Sequence, residues 1–299
     1  MKLIKKKILI LGITSIIGYR FYQLNRKTFN IYGVCRNCIF DQKDNIYIKK
    51  IIDINVVIQI INEIEPDIIM NCISIGNVDK CEENNLYAEK INFSFAKELV
   101  DLTNQKDIRL INFSSSLIYD GLSENYIESS RAHPLNEYGK LKLRLDTYIR
   151  KNLKNSLLIR PTTIYGVKES FQRDNPVNFI INKICNSEKL SLVDDVVTNL
   201  LYIDDLVDII QKLITNNING EFNVGGDKAV SRYELGRIIK ELIPQSKSNI
   251  VEYTSNEFKT IARRPLNIIL VNNKIKKTIS AEFTSLETSI LKIIQSRKE

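Results

Sequence analysis

One histidine, His133, and five cysteines are the whole stock of soft metal ligands in this 299-residue chain. Cys35 and Cys38 stand at a two-residue spacing, but Cys72, Cys81 and Cys185 supply no second such pair, and His133 is far off in sequence, so no zinc site is expected. An odd cysteine count in a chain that is not small argues for reduced thiols and a cytoplasmic protein. There is no low-complexity tract and no internal repeat. With 43% hydrophobic residues the chain reads as an ordered globular protein with a real core. A long apolar run is also missing. Lys5-Lys6-Lys7 before Ile8–Leu11 begins like a signal peptide, but Gly12 and Gly18 interrupt it, Tyr19-Arg20 follow, and no small-x-small cleavage site appears. The segment is too short to span a membrane, so a buried first strand and no membrane partner are expected. Nor is there a block of one charge. The balance of 43 basic against 35 acidic residues gives +8, yet outside Lys5–Lys7 the basic residues are scattered, which favours an anionic small-molecule ligand over nucleic acid.

What the chain does have is alternation. Lys7–Leu11 is a short apolar run closed by glycine, as suits a strand buried on both faces, and a helical stretch runs from the Gly12–Gly18 turn to about Asn25. Strands are predicted over Phe29–Cys35, Ile46–Ile52, Ile68–Cys72 and Arg109–Phe113, with a sixth closing at Ile159. Helices are predicted over Asn55–Glu65, from Val78 through Asn92 to Thr103, and from Asn136 past Tyr148. This is the pattern of an α/β protein with a doubly wound parallel sheet. After Gly166 the pattern loosens, and a smaller mixed α/β lobe over the ligand edge of the sheet is expected. The implied division is residues 1–167 plus about 199–224 for the dinucleotide-binding part, and 168–198 plus 225–299 for the lobe. Within the lobe, Ser231 and Glu234 form a capping-box pattern ahead of a helix to Leu242.

Three places carry chemistry. A strand, the turn Gly12-Ile13-Thr14-Ser15-Ile16-Ile17-Gly18 and a helix N-terminus make a phosphate site, because main-chain N–H groups and the helix dipole face the anion. Arg36 ends the second strand, where an acid would hold the 2′-hydroxyl of NAD and an arginine accommodates the 2′-phosphate of NADP; the next acid, Asp41, comes late. Tyr138 and Lys142 lie four apart on one helix, hence on one face. A nearby ammonium favours the phenolate, which makes the phenol an easier proton donor or acceptor. Ser114-Ser115-Ser116 directly follow the fifth strand, either as turn chemistry or as a hydroxyl set over a cofactor.

Taken in order and spacing, these motifs resemble the extended short-chain dehydrogenase/reductase family, in particular its dTDP-4-dehydrorhamnose reductase branch of sugar-nucleotide 4-ketoreductases. The resemblance runs nearly the whole length: the Gly12–Gly18 loop, Pro66–Cys72, Val78–Glu82 with Asn92, Phe113–Gly121, Pro134–Lys142, Val193–Asp195, Tyr202–Leu206 and Arg263-Arg264-Pro265. It implies Tyr138 as proton donor, Lys142 as the group that lowers its pKa and holds the nicotinamide ribose, and Ser115 as the hydroxyl that orients the substrate carbonyl, with Ser114 and Ser116 as neighbours able to take that role. It further implies NADPH as cofactor, with Gly12, Ser15, Ile16, Ile17 and Gly18 along the pyrophosphate, Arg36 at the 2′-phosphate, Asp53 and Ile54 at the adenine, and Cys72, Ile73 and Ser74 beside the cofactor. Arg263 and Arg264 are implied at the phosphates of a nucleotide-sugar substrate, against the alternative of a surface ion pair. The reaction class would serve cell-surface polysaccharide precursors, and a homodimer is left open.

Three residues depart from that branch. Ser15 stands at the middle glycine of the loop, Ser116 where an aspartate follows the catalytic hydroxyl, and Thr163 where a tryptophan commonly flanks the sugar, in a chain with no tryptophan at all. The sister 4,6-dehydratases carry an Asp-Glu pair where this chain has Ser116-Leu117, and the sister epimerases an acid where it has Arg36. A rival of another class is a dinucleotide-binding regulatory subunit, since the β subunit of methionine adenosyltransferase resembles the same branch. Intact Ser115, Tyr138 and Lys142 argue for an enzyme.

Overall fold

A computed structural model describes residues 5–37, 45–49 and 53–297. Cys38, Asp41 and the end of the predicted third strand lie outside the described residues. Six parallel strands, β1 (Lys7–Leu11), β2 (Asn30–Cys35), β3 (Ile46–Ile48), β4 (Ile68–Asn71), β5 (Arg109–Phe113) and β6 (Ser156–Pro161), are joined by an edge strand, Gly220–Val224. Their order is edge strand–β6–β5–β4–β1–β2–β3. The expected doubly wound parallel sheet is therefore present, and its order reverses between β1 and β4. At such a switch point the connections leave to opposite faces, so a crevice opens beyond the carboxyl ends of the strands.

The period of two along β1 sorts its side chains into two cores. Ile8 and Ile10 pack with Ile68, Met70, Ile111, Phe21 and Leu206 on one face, whereas Leu9 and Leu11 pack with Ile69, Val57, Leu99 and Leu145 on the other. Both faces are dry, so no solvated face remains to read as alternation. Helix α1 (Ile16–Asn25) starts at Ser15, whose hydroxyl accepts from Gly18 N at 3.0 Å. Helix α2 (Ile54–Ile64) starts at Asp53, whose carboxylate accepts from Val56 N at 3.0 Å. Each cap satisfies one of the orphan N–H groups of its helix.

The helix expected to run unbroken from Val78 to Thr103 is four pieces: Val78–Glu83, Asn85–Glu89, a π-helical turn Lys90–Ser94, and Phe95–Gln105. Asn84 breaks it by capping the second piece, its side chain accepting from Tyr87 N at 3.1 Å. The helix Pro176–Cys185 starts at its proline, with Asn175 as its cap, because proline is favoured in the first turn and disfavoured further in.

The second half assembles short strands into a lobe. Leu190–Val193 pairs in parallel with Ile250–Tyr253, and Val197–Thr198 lies between Val230–Ser231 and Asn267–Ile268. The capping box is formed: Ser231 accepts from Glu234 N at 2.9 Å and Glu234 accepts from Ser231 N at 2.9 Å. Among the described residues no helix is long and apolar enough to cross a membrane.

Candidate active site

A single cleft of about 2380 Å³ runs from the switch point to the inner wall of the lobe. That volume exceeds what one drug-sized ligand needs and accommodates two nucleotide-sized ones. Gly12, Ser15, Ile16, Ile17, Arg36 and Asp53 line one end, Cys72, Ile73, Ser74, Ser115, Tyr138 and Lys142 the middle, and Thr198, Arg232 and Arg263 the other.

The phosphate end is built by close main-chain approach. Gly12 has φ +76°, and a Cβ there would sit 3.2 Å from the Cys72 carbonyl, so the turn needs glycine both for its backbone angle and for its nearness to the end of β4. Gly18 lies behind the turn, against Gly12 O, and is not part of the cleft lining. Ser15 does line it, but its hydroxyl is committed to Gly18 N. Arg36 is exposed at the end of β2 on the cleft wall. Asp53 reaches the cleft while capping α2, whereas Ile54 packs against the core instead of lining the cleft.

The middle is built around the helix Glu137–Asn152. Asn136 caps it, accepting from Gly139 N at 2.9 Å. Gly139 explains how this helix comes so close to the serines after β5: a Cβ there would fall 2.2 Å from Leu117 O. Ser115 is buried and caps the turn Ser116–Ile118, accepting from Leu117 N at 3.2 Å. Ser114 is turned away, donating to Asp146 at 2.6 Å. Of the three serines, Ser115 is thus the one set beside Tyr138, whose phenol feels the hydroxyls of Ser115 and Ser74.

Lys142 is buried below, its Nζ donating to Phe113 O at 2.9 Å and standing 5.6 Å from the Tyr138 ring centroid. The expected lowering of the phenol is not what these surroundings produce. Burial pushes Tyr138 up to about 12, and the two serine hydroxyls pull it back only in part. Burial also brings Lys142 down to about 8, against the pull of the Asp146 carboxylate. Removing charge from water costs more here than the neighbouring dipoles return. At neutral pH the phenol therefore holds its proton, which is the form a proton donor needs.

Three features of the site were given no role by the sequence, although the resemblance included Asn92. Asn92, inside the π-helical turn, clamps the loop after β4: its Oδ1 accepts from Ile75 N at 2.7 Å and Ser74 Oγ at 3.1 Å, and its Nδ2 donates to Ile75 O at 3.1 Å. An asparagine in mid-helix, a poor helix former beside a local widening, was the available signal. Beneath Ser114, Asp146 accepts from Arg160 Nε at 3.0 Å, and Arg160 also meets Glu221. An acid four residues after Lys142 on the buried helix face was the hint for that pair. The third, Arg232, gave no sequence signal, because the cost of its position depends on what the lobe packs around it.

Arg263 and Arg264 part company. Arg264 is spent on an ion pair, its Nη2 2.8 Å from Asp79 Oδ2, while Asp79 Oδ1 accepts from Ala262 N at 2.9 Å. Arg263 is exposed on the cleft, and its carbonyl accepts from Asn136 Nδ2 at 2.9 Å. Ser116 and Thr163, two of the departures, both line the cleft. Among the described residues no cluster of three or more metal-ligating side chains occurs.

Residues 6–298 match the family described as the RmlD substrate binding domain. The chain belongs to this family of extended short-chain dehydrogenase/reductases. Members are of the sugar-nucleotide reductase and epimerase type. The RmlD-family fold is closely shared with a solved dTDP-4-dehydrorhamnose reductase from Bacillus anthracis in complex with NADP, at TM-score 0.86 and 24% identity, covering 98% of this chain and 99% of that one. A probable low-salt glycan biosynthesis reductase of Haloferax volcanii is 22% identical over 80% of this chain and 81% of its own. Methionine adenosyltransferase 2 subunit beta of Bos taurus is 23% identical over 88% of this chain and 79% of its own.

Proposed function

We propose that this chain is an NADPH-dependent reductase of the 4-keto group of a nucleotide-linked deoxysugar. The observation that carries the reading is the placement of Tyr138, a half-buried and protonated phenol, against Ser115 and Ser74, above Lys142, in the same cleft as the Gly12 turn and Arg36. The cofactor fits on the chemistry of its lining. The main chain at Gly12 and Cys72 approaches too closely for any side chain, leaving backbone for a pyrophosphate, and Arg36 offers an exposed guanidinium where a 2′-phosphate belongs.

Bound there, the reduced nicotinamide supplies hydride. Tyr138 gives its proton to the carbonyl oxygen as that oxygen gains charge, and Ser115 donates a hydrogen bond to the same oxygen. Lys142, charged below about pH 8, stabilises the phenolate that Tyr138 becomes. Proton donation of this kind contributes about 10²–10⁴ in rate. The N–H groups of Gly12, Ile13, Ser15 and Gly18 are engaged within the protein, which leaves those of Thr14, Ile16 and Ile17 at the helix N-terminus to the pyrophosphate.

The likeness to methionine adenosyltransferase 2 subunit beta favours a second reading, a dinucleotide-binding partner subunit without turnover. One experiment separates the two: titration with NADPH and NADH, then a panel of dTDP-, UDP- and GDP-linked 4-keto-6-deoxysugars followed at the nicotinamide absorbance. Tight NADPH binding with oxidation by one sugar supports the reductase. Tight binding without oxidation across the panel moves the assignment to the partner subunit.

A further inference from the structure

Arg232 is the first residue of the helix Arg232–Glu241 and directly follows the short strand Val230–Ser231, which pairs antiparallel with Val197–Thr198. That register sets it in the lobe wall of the cleft, near Ser191, Val193 and Thr198. Its Nη1 is enclosed and has no hydrogen-bond partner. The acids bound to the neighbouring Ser231 are spoken for: Asp194 accepts from Ser231 Oγ at 2.5 Å, and Glu234 completes the capping box. Burial alone acts on the guanidinium and brings it down to about 10.

Two other arginines also carry enclosed, unpartnered nitrogens, but both belong to the core. Arg109 donates to the Leu213 and Ile218 carbonyls, and Arg160 meets Asp146 and Glu221. Among the described residues Arg232 is the one that combines an enclosed bare nitrogen with a place on the cleft. A charge removed from water without a counter-charge is a standing cost to the fold, and it is recovered when an anion arrives. The planar fork of a guanidinium suits two phosphate oxygens at once.

We propose that Arg232 is an anchor for the diphosphate of the nucleotide-sugar substrate. Both the cofactor and the substrate would bring a diphosphate, and position decides between them. Along the sheet edge, Gly12 and Arg36 follow β1 and β2, and the Tyr138 helix sits at the end of β5 through Lys142. The strand before Arg232 pairs with Val197–Thr198, next to Asn199, whose carbonyl accepts from Thr162 after β6; Tyr138 therefore lies between them. A sugar carbonyl held at Tyr138 sends its nucleoside diphosphate away from the cofactor, into the lobe. This assignment rests on the sugar-nucleotide reading given above.

The test measures the affinity of dTDP and UDP, with thymidine and uridine as phosphate-free controls, for the parent, Arg232→Gln and Arg232→Lys, each saturated with NADPH. The expected result is a loss of tenfold or more for the diphosphates in Arg232→Gln, a smaller loss in Arg232→Lys, and no change for the nucleosides or for NADPH. Parent-like NADPH binding in Arg232→Gln certifies its fold; should that variant fail to fold, the loss in Arg232→Lys decides alone, since the lysine keeps the charge and forfeits the fork. Equal diphosphate affinity in parent and folded variants overturns the anchor and leaves the reductase reading standing. A loss of NADPH affinity in place of diphosphate affinity also overturns it. Failure of both diphosphates to bind the parent, with NADPH bound, overturns the anchor and the sugar-nucleotide reading together.

Discussion

Two arginines, one under the floor of the cleft and one in its far wall, show how the halves of this molecule differ. Arg160 on β6 is almost wholly buried and meets Asp146 and Glu221, so despite burial it holds its proton more tightly than an arginine in water. Arg232 in the lobe is half-buried, its Nη1 enclosed without a partner, and it holds its proton less tightly. The same desolvation acts on both, and the partner supplied by the chain decides the outcome. On the sheet side the buried groups around the site find protein partners: Asn71 donates to Asn112 at 3.0 Å between neighbouring strands, and Ser114 and Arg160 both turn to Asp146, although Asn112 Nδ2, Asp146 Oδ1 and Arg160 Nη1 stay unpartnered. On the lobe side Arg232 and Arg263 form no ion pair among the described residues. The lesson is a division of labour, with a rigid half that holds reacting groups in place and a half whose open charges await a ligand.

If that division holds, changes on the sheet side act on turnover or stability, and changes on the lobe side act on substrate binding. The largest effect is expected at the reacting group. Tyr138→Phe should lower kcat for 4-keto sugar reduction by about 10²–10⁴ while NADPH affinity stays within about threefold. Stopped-flow turnover beside a binding titration checks this, and parent-like turnover would remove Tyr138 from the mechanism. Next comes the floor. Asp146→Asn takes away the fully buried partner of a buried arginine and should cost about 3 kcal/mol in urea unfolding. A loss under about 1 kcal/mol would mean that Glu221 alone holds Arg160, and the floor would then be less complete than the comparison requires.

A smaller effect, of opposite sign, is expected at Lys142, a sheet-side cation that burial, as at Arg109, works against. Its folded pKa of about 8 lies below its ordinary 10.5, so between those values the unfolded chain binds more protons and stability rises with pH. Below about pH 8 the lysine is charged in both states and the cost is present in full. Lys142→Met should therefore raise stability at pH 7 by on the order of 2 kcal/mol, after the lost hydrogen bond to Phe113 O is set against the gain. The gap between variant and parent should close as pH climbs from 8 toward 10.5. Melting curves across that range test it, and a gap that does not depend on pH would assign the gain to packing.

The same division governs what could be read without coordinates. Lys7–Leu11 and Arg109–Phe113 keep the bounds that their apolar runs predict, and the Ser231–Glu234 box forms as its spacing predicts, because each is decided within a few residues. Tyr138 and Lys142 were legible for the same reason, through one helical turn. Ile250–Tyr253 was not read as a strand, since its partner lies far back at Leu190–Val193. The break at Asn84 and the widened turn around Asn92 were missed because apolar periodicity continues across both. The pKa of Tyr138 went the other way from its neighbour's charge because burial is a property of the assembled cleft. Arg264 looked like a phosphate ligand until Asp79, distant in sequence, was found beside it.

The smallest expected effect lies where the halves are stitched together, at Asn136. Its Oδ1 caps the Tyr138 helix, a sheet-side duty, and its Nδ2 holds the Arg263 carbonyl, a lobe-side one. Asn136→Ala removes both and should cost about 1 kcal/mol in stability, with a few-fold rise in KM for the sugar nucleotide. Asn136→Ser restores a capping oxygen but not the amide donor. If the two duties are separable, the serine variant regains most of the melting temperature and keeps the raised KM. If KM recovers along with stability, the lobe contact is incidental and Arg263 is positioned from its own side of the cleft. A KM unchanged in both variants would break the comparison where it is weakest, because the segment carrying the free Arg263 would then owe nothing to the helix that carries the chemistry.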